Sequence, residues 1–228
     1  MIDDDPLERL ASSWDCNAAA WTEAVRSGRI ESRRLATDNA IVQAALAHRP
    51  QRVLDIGCGE GWLCRTLTAA GIEAIGLDAS APLIDAACAA GGASYHRMSY
   101  DELRANGDRL GGFDVLICNF ALLEASLDGL LAALHSRLRP RGVLLIQTVH
   151  PWSARGDAAY RDGWRTETFA GFGSGFSAPM PWYYRTLESW LSTLDATGWQ
   201  VTSLAEPAHP QTGLPASLLI GAATKSRP

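Results

Sequence analysis

The sequence predicts an α/β domain: a doubly wound, mostly parallel sheet with helices on both faces. Three observations predict it. Between residues 52 and 149, short apolar runs alternate with segments of helical spacing. The runs are almost continuously apolar, as strands covered on both faces must be. The chain has 228 residues, 47% hydrophobic and 20% charged, which suits one globular domain with additions and excludes disordered, collagen-like and low-complexity classes.

Residues 1–50 read as a helical cap on a main domain over 51–228. Leu7 opens the first helical stretch; Trp14 to Val25 and Ser32 to Ala47 follow, with Gly28 between them. Arg49-Pro50 closes the cap, since proline cannot continue a helix. The first strand is Arg52 to Ile56. A helix over 61–70 ends at Gly71, a natural residue for the turn after a helix. Ala74 to Asp78 is the second strand. The next helix starts at Ser80, a candidate N-cap ahead of Pro82, and stops at Gly91-Gly92. Ala93 to Arg97 is a weak third strand and Phe113 to Phe120 a strong fourth. Leu127 to Leu138 predicts an amphipathic helix terminated by Arg139-Pro140-Arg141-Gly142, and Val143 to Val149 is the fifth strand.

Residues 150–185 break the alternation. Glycines, prolines and many aromatics occur there without a period, which predicts a lid or wall over a site. Helical spacing resumes after Arg185 and ends at Gly198. Trp199 to Leu204 and Ser217 to Thr224 then suit an antiparallel closing pair.

Charge and cysteine usage narrow the partners. The formal net charge is −5, without the basic stripe of a nucleic-acid binder. The start, MIDDDPLERL, is acidic where a signal peptide is basic and then apolar, and no run reaches the ~18 apolar residues of a membrane span. Cysteines 16, 58, 64, 88 and 118 form no CxxC and have no histidine at zinc spacing. The expectation is a cytoplasmic protein with reduced thiols, no metal, no membrane and no nucleic-acid partner.

The most informative segment is Val53-Leu-Asp-Ile-Gly-Cys-Gly-Glu-Gly61, between a strand and a helix. Glycines 57, 59 and 61 let the backbone approach a ligand, and the helix start behind them offers free N–H groups. The dinucleotide fingerprint GxGxxG does not fit, because the third glycine comes one residue early and Trp62 takes its place. Asp55 and Glu60 would also repel a diphosphate, whereas a carboxylate suits a ligand bearing an ammonium. Asp78, ending the second strand, is placed to accept bonds from ribose hydroxyls.

On VLDIGCGEG and IGLDAS the chain resembles the class I S-adenosylmethionine-dependent methyltransferases, and FDVLICNFAL and LRPRGVLLIQT extend the resemblance over about 53–149. The resemblance implies a Rossmann-like, seven-stranded sheet with one reversed strand, and S-adenosylmethionine as cofactor. It implies that Asp55, Gly57, Cys58, Gly59 and Gly61 line the methionine part, with Asp78 on the ribose and Ala79 beside the adenine. Ser99 stands where the family often has an aspartate on the adenine amine, with Met98 and Tyr100 flanking the ring. Asn119, Phe120 and Ala121 would lie near the sulfonium, and Arg33 or Arg34 on the N-terminal helix would meet the carboxylate.

The implied activity is methyl transfer to oxygen or nitrogen of a small, partly apolar acceptor. Its rivals are a non-catalytic binder of the same cofactor and a nicotinamide-dependent dehydrogenase. His150, ending the fifth strand at the sheet's carboxyl edge, is the first choice for a base or acceptor contact, against a role in fixing the loop through Pro151. Trp152, Trp182, Tyr183 and Tyr184 are the other acceptor contacts, and His209 is a remote candidate. Glu124 reads as a solvated acid opening the next helix, with the site as the alternative. Trp14 and Trp21, seven apart on one helical face, either pack on the sheet or cap the site.

Overall fold

Side-chain alternation in the central strands divides the interior into two layers. The computed structural model describes residues 5–225. Helix α1 (Pro6–Arg26) is followed by a π-helical turn at Arg33–Thr37 and by α2 (Asp38–Ala47). Then come β1 (Arg52–Ile56), α3 (Trp62–Ala69), β2 (Glu73–Asp78), α4 (Ala81–Ala90), β3 (Ser94–Arg97), α5 (Tyr100–Asn106) and β4 (Phe113–Asn119). After α6 (Asp128–Leu134) come β5 (Leu138–Val149), α7 (Pro151–Ala154), β6 (Gly163–Glu167) and β7 (Met180–Tyr184). The described chain closes with α8 (Leu187–Ala196), β8 (Trp199–Ala205) and β9 (Ser217–Thr224).

Seven strands form one sheet in the order β3-β2-β1-β4-β5-β9-β8. The first five are parallel, and β9 runs against both its neighbours. Leu54, Ile56, Leu116, Cys118, Leu144 and Ile146 face a layer with α5, α6 and α8. Val53, Val115, Ile117 and Leu145 face the opposite layer, with α2, α3 and α4. Each fully buried leucine in these layers contributes roughly 1.5–3 kcal/mol. The chain leaves β1 toward β2 on one side and returns to β4 on the other, so the carboxyl ends of β1 and β4 flank the switch point where open α/β sheets hold ligands.

Four elements differ from expectation. The stretch 150–185 holds a short helix and a β-hairpin, with Trp164 opposite Tyr183 and Arg165 opposite Trp182. Alternation there is masked because both faces carry aromatics. Helix α5 was not expected at all; its sequence signal is the capping box in which Ser99 Oγ accepts from Glu102 N and the Glu102 carboxylate accepts from Ser99 N. The helix expected to reach Leu138 stops at Leu134, passes through a 3₁₀ turn at His135–Arg137, and gives way to β5. Residues 139–142 lie within β5 as an irregularity: Leu138 pairs with Phe113 and Val143 with Val115. Asp114 anchors it, 3.2 Å from Arg139.

Candidate functional site

The loop after β1 closes on its neighbours through hydrogen bonds. Gly57 N and Cys58 N donate to Leu77 O at 2.7 and 2.8 Å, and Gly59 N donates to Asp78 Oδ2 at 2.9 Å. A Cβ on Gly57 would come within 2.4 Å of the Ala121 Cβ, and its φ of +78° is already left-handed. Only glycine lets the loop touch the end of β4 there.

Asp55 lies on the α3 side of β1 and is buried. Its Oδ2 accepts a long bond of 3.6 Å from Cys64 Sγ, and its Oδ1 has no partner. Burial pushes its carboxyl up to about 7, against the smaller lowering effects of Cys64 and Arg33. Asp78 is held by Gly59 N and Ser80 N, both at 2.9 Å. Burial still raises its pKa, and those backbone donors oppose the rise.

Arg33 enters from the π-helical turn, a local widening of the helix that is often found at functional sites. Its guanidinium lies 4.8 Å from the Trp62 ring centroid and 5.9 Å from that of Trp21, and its Nε pairs with Asp38 at 2.9 Å. Its Nη2 is buried without a partner. Arg34, the other expected candidate, is exposed.

At the end of β4, Gln147 donates to Asn119 Oδ1 at 2.8 Å and to Thr37 O at 3.0 Å, while Ser217 Oγ donates to its Oε1 at 3.1 Å. Asn119 is thereby fixed and the π-helical turn is tied to the sheet edge. Phe120 follows with φ +54°, a strained value for a residue with a side chain. Tyr100 donates its hydroxyl to Ala121 O at 2.9 Å.

These groups open on one cavity of about 640 Å³. Asp55, Gly57, Cys58, Gly59, Asp78, Ala79, Met98, Ser99, Asn119, Phe120, Ala121 and Arg33 all line it, as does Tyr100. Its other end is apolar, formed by Leu10, Trp14, Leu123, Phe169, Met180 and Trp182. Asn17 holds that roof in place. It donates to Ala178 O at 2.6 Å and accepts from Ser177 N at 2.8 Å, stapling α1 to the turn before β7. The cap helix therefore lines the cavity; Trp14 and Trp21 meet edge-on at 5.2 Å in its wall.

Several expected residues lie outside the lining. Gly61 starts α3 with φ +82°, and a Cβ there would strike Tyr95 at 2.5 Å, so its role is packing. His150 is buried with its Nε2 2.7 Å from Glu206 Oε1, which ties the end of β5 to the loop before β9 rather than to the cavity. Trp152 is 60% exposed under Arg155, Tyr183 packs on Trp164, and the Tyr184 hydroxyl donates to Pro151 O at 2.6 Å. Alternation along β7 turns Trp182 inward and Tyr183 outward. His209 lies 3.9 Å from Glu31, also off the cavity. Glu60 is buried beneath the loop, 2.7 Å from both Arg26 and Arg65. The case against a diphosphate therefore rests on Asp55, and Glu60 instead anchors α1.

The expected lid over 150–185 and cap by Trp14 did not single out Leu10, Leu123, Phe169 and Met180, although Leu7, Leu10, Ala11 and Trp14 repeat at helical spacing along one face of α1. Glu124, read first as a solvated acid with the site as the alternative, lines the cavity. Among the described residues, no group of three metal-ligand side chains converges and no helix is long and apolar enough to cross a membrane.

One unpaired buried acceptor and one unpaired buried donor, Asp55 Oδ1 and Arg33 Nη2, match the ammonium and carboxylate of an amino acid, and Asp78 matches a ribose. A ligand carrying both ends fits, which makes this a Rossmann-like domain of the class I S-adenosylmethionine-dependent type. A model of the methyltransferase domain matches residues 29–204, and the chain belongs to that family. The ubiquinone biosynthesis O-methyltransferase of Mesorhizobium japonicum is 32% identical over 115 residues, 47% of this chain and 45% of that protein. Its counterpart in Bartonella bacilliformis is 31% identical over 113 residues, 46% and 44% of the two chains. The matched region thus spans less than half the length of these curated relatives. Among solved structures, an S-adenosylmethionine-dependent methyltransferase from Mesorhizobium loti superposes with a TM-score of 0.59, at 24% identity over 79% of this chain and 95% of that one. The DhpI–SAH complex superposes with a TM-score of 0.65, at 18% identity over 97% and 98%. These likenesses establish the shared fold.

Proposed function

We propose that this chain transfers the methyl group of S-adenosylmethionine to oxygen or nitrogen of a small, largely apolar acceptor. The observation that carries the reading is the division of one continuous cavity. Its loop end offers Asp55, Arg33 and Asp78, and its roof end offers aromatic and aliphatic side chains. In this reading Asp55 and Arg33 hold the two charges of the methionine part, Asp78 holds the ribose, and Met98 and Ser99 border the adenine. Bound cofactor supplies a methyl group on a sulfonium, already a good leaving group.

The protein's work is then alignment and exclusion of water. Asn119, Phe120 and Ala121 form the floor between the two ends of the cavity. Gln147 from β5 and Tyr100 from α5 fix that floor. Helix α1 acts as a cap, since it and the hairpin together roof the acceptor chamber. Acceptors of this size and apolarity suit the pocket better than nucleic acid does.

Calorimetric titration with S-adenosylhomocysteine and, separately, NADH tests the cofactor assignment. S-adenosylhomocysteine should bind and NADH should not; binding of NADH alone would overturn it. Label transfer from methyl-labelled cofactor into a pool of small apolar alcohols, phenols and amines tests the activity, and no transfer to any of them would favour a non-catalytic binder.

A further inference from the structure

The cavity lining is acidic beyond what the cofactor uses. Among the described residues it contains Glu8, Asp55, Asp78, Asp101, Glu124 and Glu167, against the single cation Arg33. Asp55 and Asp78 belong to the cofactor end. Glu8 and Asp101 are exposed, and Asp101 pairs with Arg104 at 3.0 Å. Glu167 accepts from Phe169 N at 2.6 Å. Glu124 is different: it is half-buried, and among the described residues its carboxylate has no hydrogen bond or ion pair.

Its position follows from the backbone. Glu124 stands three residues beyond Ala121, on a loop clamped to the hairpin where Tyr183 N donates to Leu123 O at 2.8 Å. Arg185 donates to the carbonyl oxygens of Glu124 and Ala125, and its guanidinium packs on Tyr183 and Trp190, outside the lining. The cation thus stays outside the lining, while Glu124 borders the chamber. The same cavity is also lined by Trp182, Trp14 and Phe169, aromatic rings whose faces attract cations.

We propose that the acceptor is an apolar amine that arrives protonated and is selected by the Glu124 carboxylate; it gives up one proton to solvent before its neutral nitrogen takes the methyl group from the sulfonium, which leaves as S-adenosylhomocysteine. This rests on the methyltransferase reading and deepens it from any small apolar acceptor to a charged class. Glu124 acts as a specificity-determining residue: it pairs with the ammonium while the roof takes the hydrocarbon. An acceptor bearing a carboxylate would meet a like charge in a partly desolvated site. Burial also raises the Glu124 carboxyl, and Asp101 adds to the rise against the opposing Arg185.

The test uses the full chain saturated with S-adenosylhomocysteine and three matched probes: 2-phenylethylamine, 2-phenylethanol and 3-phenylpropionate. The amine should bind at least tenfold more tightly than either of the others. Glu124→Gln should remove that preference and leave S-adenosylhomocysteine affinity within twofold. Equal binding of amine and alcohol, preference for the carboxylate, binding of none of the three, or an unchanged preference in Glu124→Gln would overturn the proposal. Failure to bind S-adenosylhomocysteine would instead overturn the methyltransferase reading beneath it.

Discussion

Cofactor affinity should depend on pH through Asp55. In the free protein burial pushes this carboxyl up to about 7, and the cofactor's ammonium, protonated throughout the range of interest, selects the charged form. With that pKa, about 0.09 of the molecules carry a charged Asp55 at pH 6 and about 0.91 at pH 8. Affinity for S-adenosylhomocysteine should therefore rise about tenfold from pH 6 to pH 8, or ~1.4 kcal/mol, and at pH 7 binding should release about half a proton. Calorimetry in two buffers of different ionisation enthalpy measures both quantities. The sign for stability is the reverse. The native pKa lies above the ordinary value of 3.8, so the native state holds the proton longer than the unfolded state. The stability so conferred is complete below about pH 4, declines as pH rises, and is gone above about 7, at no more than ~1.4 kcal/mol per pH unit. The free protein should thus lose Tm as pH rises toward 8 while its ligand affinity improves. Asp55→Asn should flatten both trends and weaken binding. Affinity that is independent of pH, with no proton exchanged, would refute the assignment of Asp55 to the ammonium.

Other substitutions test the remaining contacts. Arg33→Met keeps an apolar stem between Trp21 and Trp62 but removes the charge; cofactor Kd should rise at least tenfold, as a lost charged hydrogen bond of ~1.5–3 kcal/mol requires. Arg33→Lys should not restore it, because an ammonium cannot serve Asp38 and a ligand carboxylate with a planar fork; full restoration would point to a simple charge effect. Asn17→Ala leaves the Ser177 and Ala178 N–H groups without their acceptor, while Ala178 O keeps Ser13 Oγ, so it should cost ~1–3 kcal/mol in denaturant melts and speed amide exchange over 169–182. Trp182→Ala should raise acceptor KM with little change in cofactor Kd, whereas Trp152→Ala on the outer face should change neither; equal losses in both would refute the inward–outward reading of β7.

The parts of the fold that were legible in the sequence are those written in local pattern. The inner strands β1, β2, β4, β5 and β9 stand out as apolar runs, because burial on both faces leaves few polar positions to blur them, whereas the edge strands β3 and β8 are mostly exposed and mixed in sequence. The loop from Asp55 to Gly61 was legible for a related reason: its left-handed turns at Gly57, Gly59 and Gly61 demand glycine at fixed places after a strand, and Asp78 at the end of the next strand accepts from Gly59 N. Helix α5 is too short for a period to emerge, and only its capping box marks it. The hairpin of β6 and β7 was hidden because aromatics occupy its outer face, where Trp164 and Tyr183 pack on each other, as well as its inner one. His150 shows the limit of position alone. The carboxyl edge of β5 is the right place for a site residue, but Glu206, 56 residues on, draws the ring away, and no local pattern records such a partner.

The eight tryptophans make the same point about side-chain direction. Trp14, Trp21, Trp62 and Trp182 line the cavity, Trp190 and Trp199 are core, and Trp152 and Trp164 are exposed. The lining four come from α1, α3 and β7, elements far apart in sequence that meet only when the cap closes on the hairpin. Arg33 joins two of these, Trp21 and Trp62, and Asn17 fastens the α1 pair to the turn before Trp182. The cofactor end and the acceptor roof therefore share α1 as a wall. Loosening that helix should weaken both ligands, while changes confined to β7 should weaken the acceptor alone. The contrast between Asn17→Ala and Trp182→Ala measures how far the two halves of the cavity are coupled through the cap.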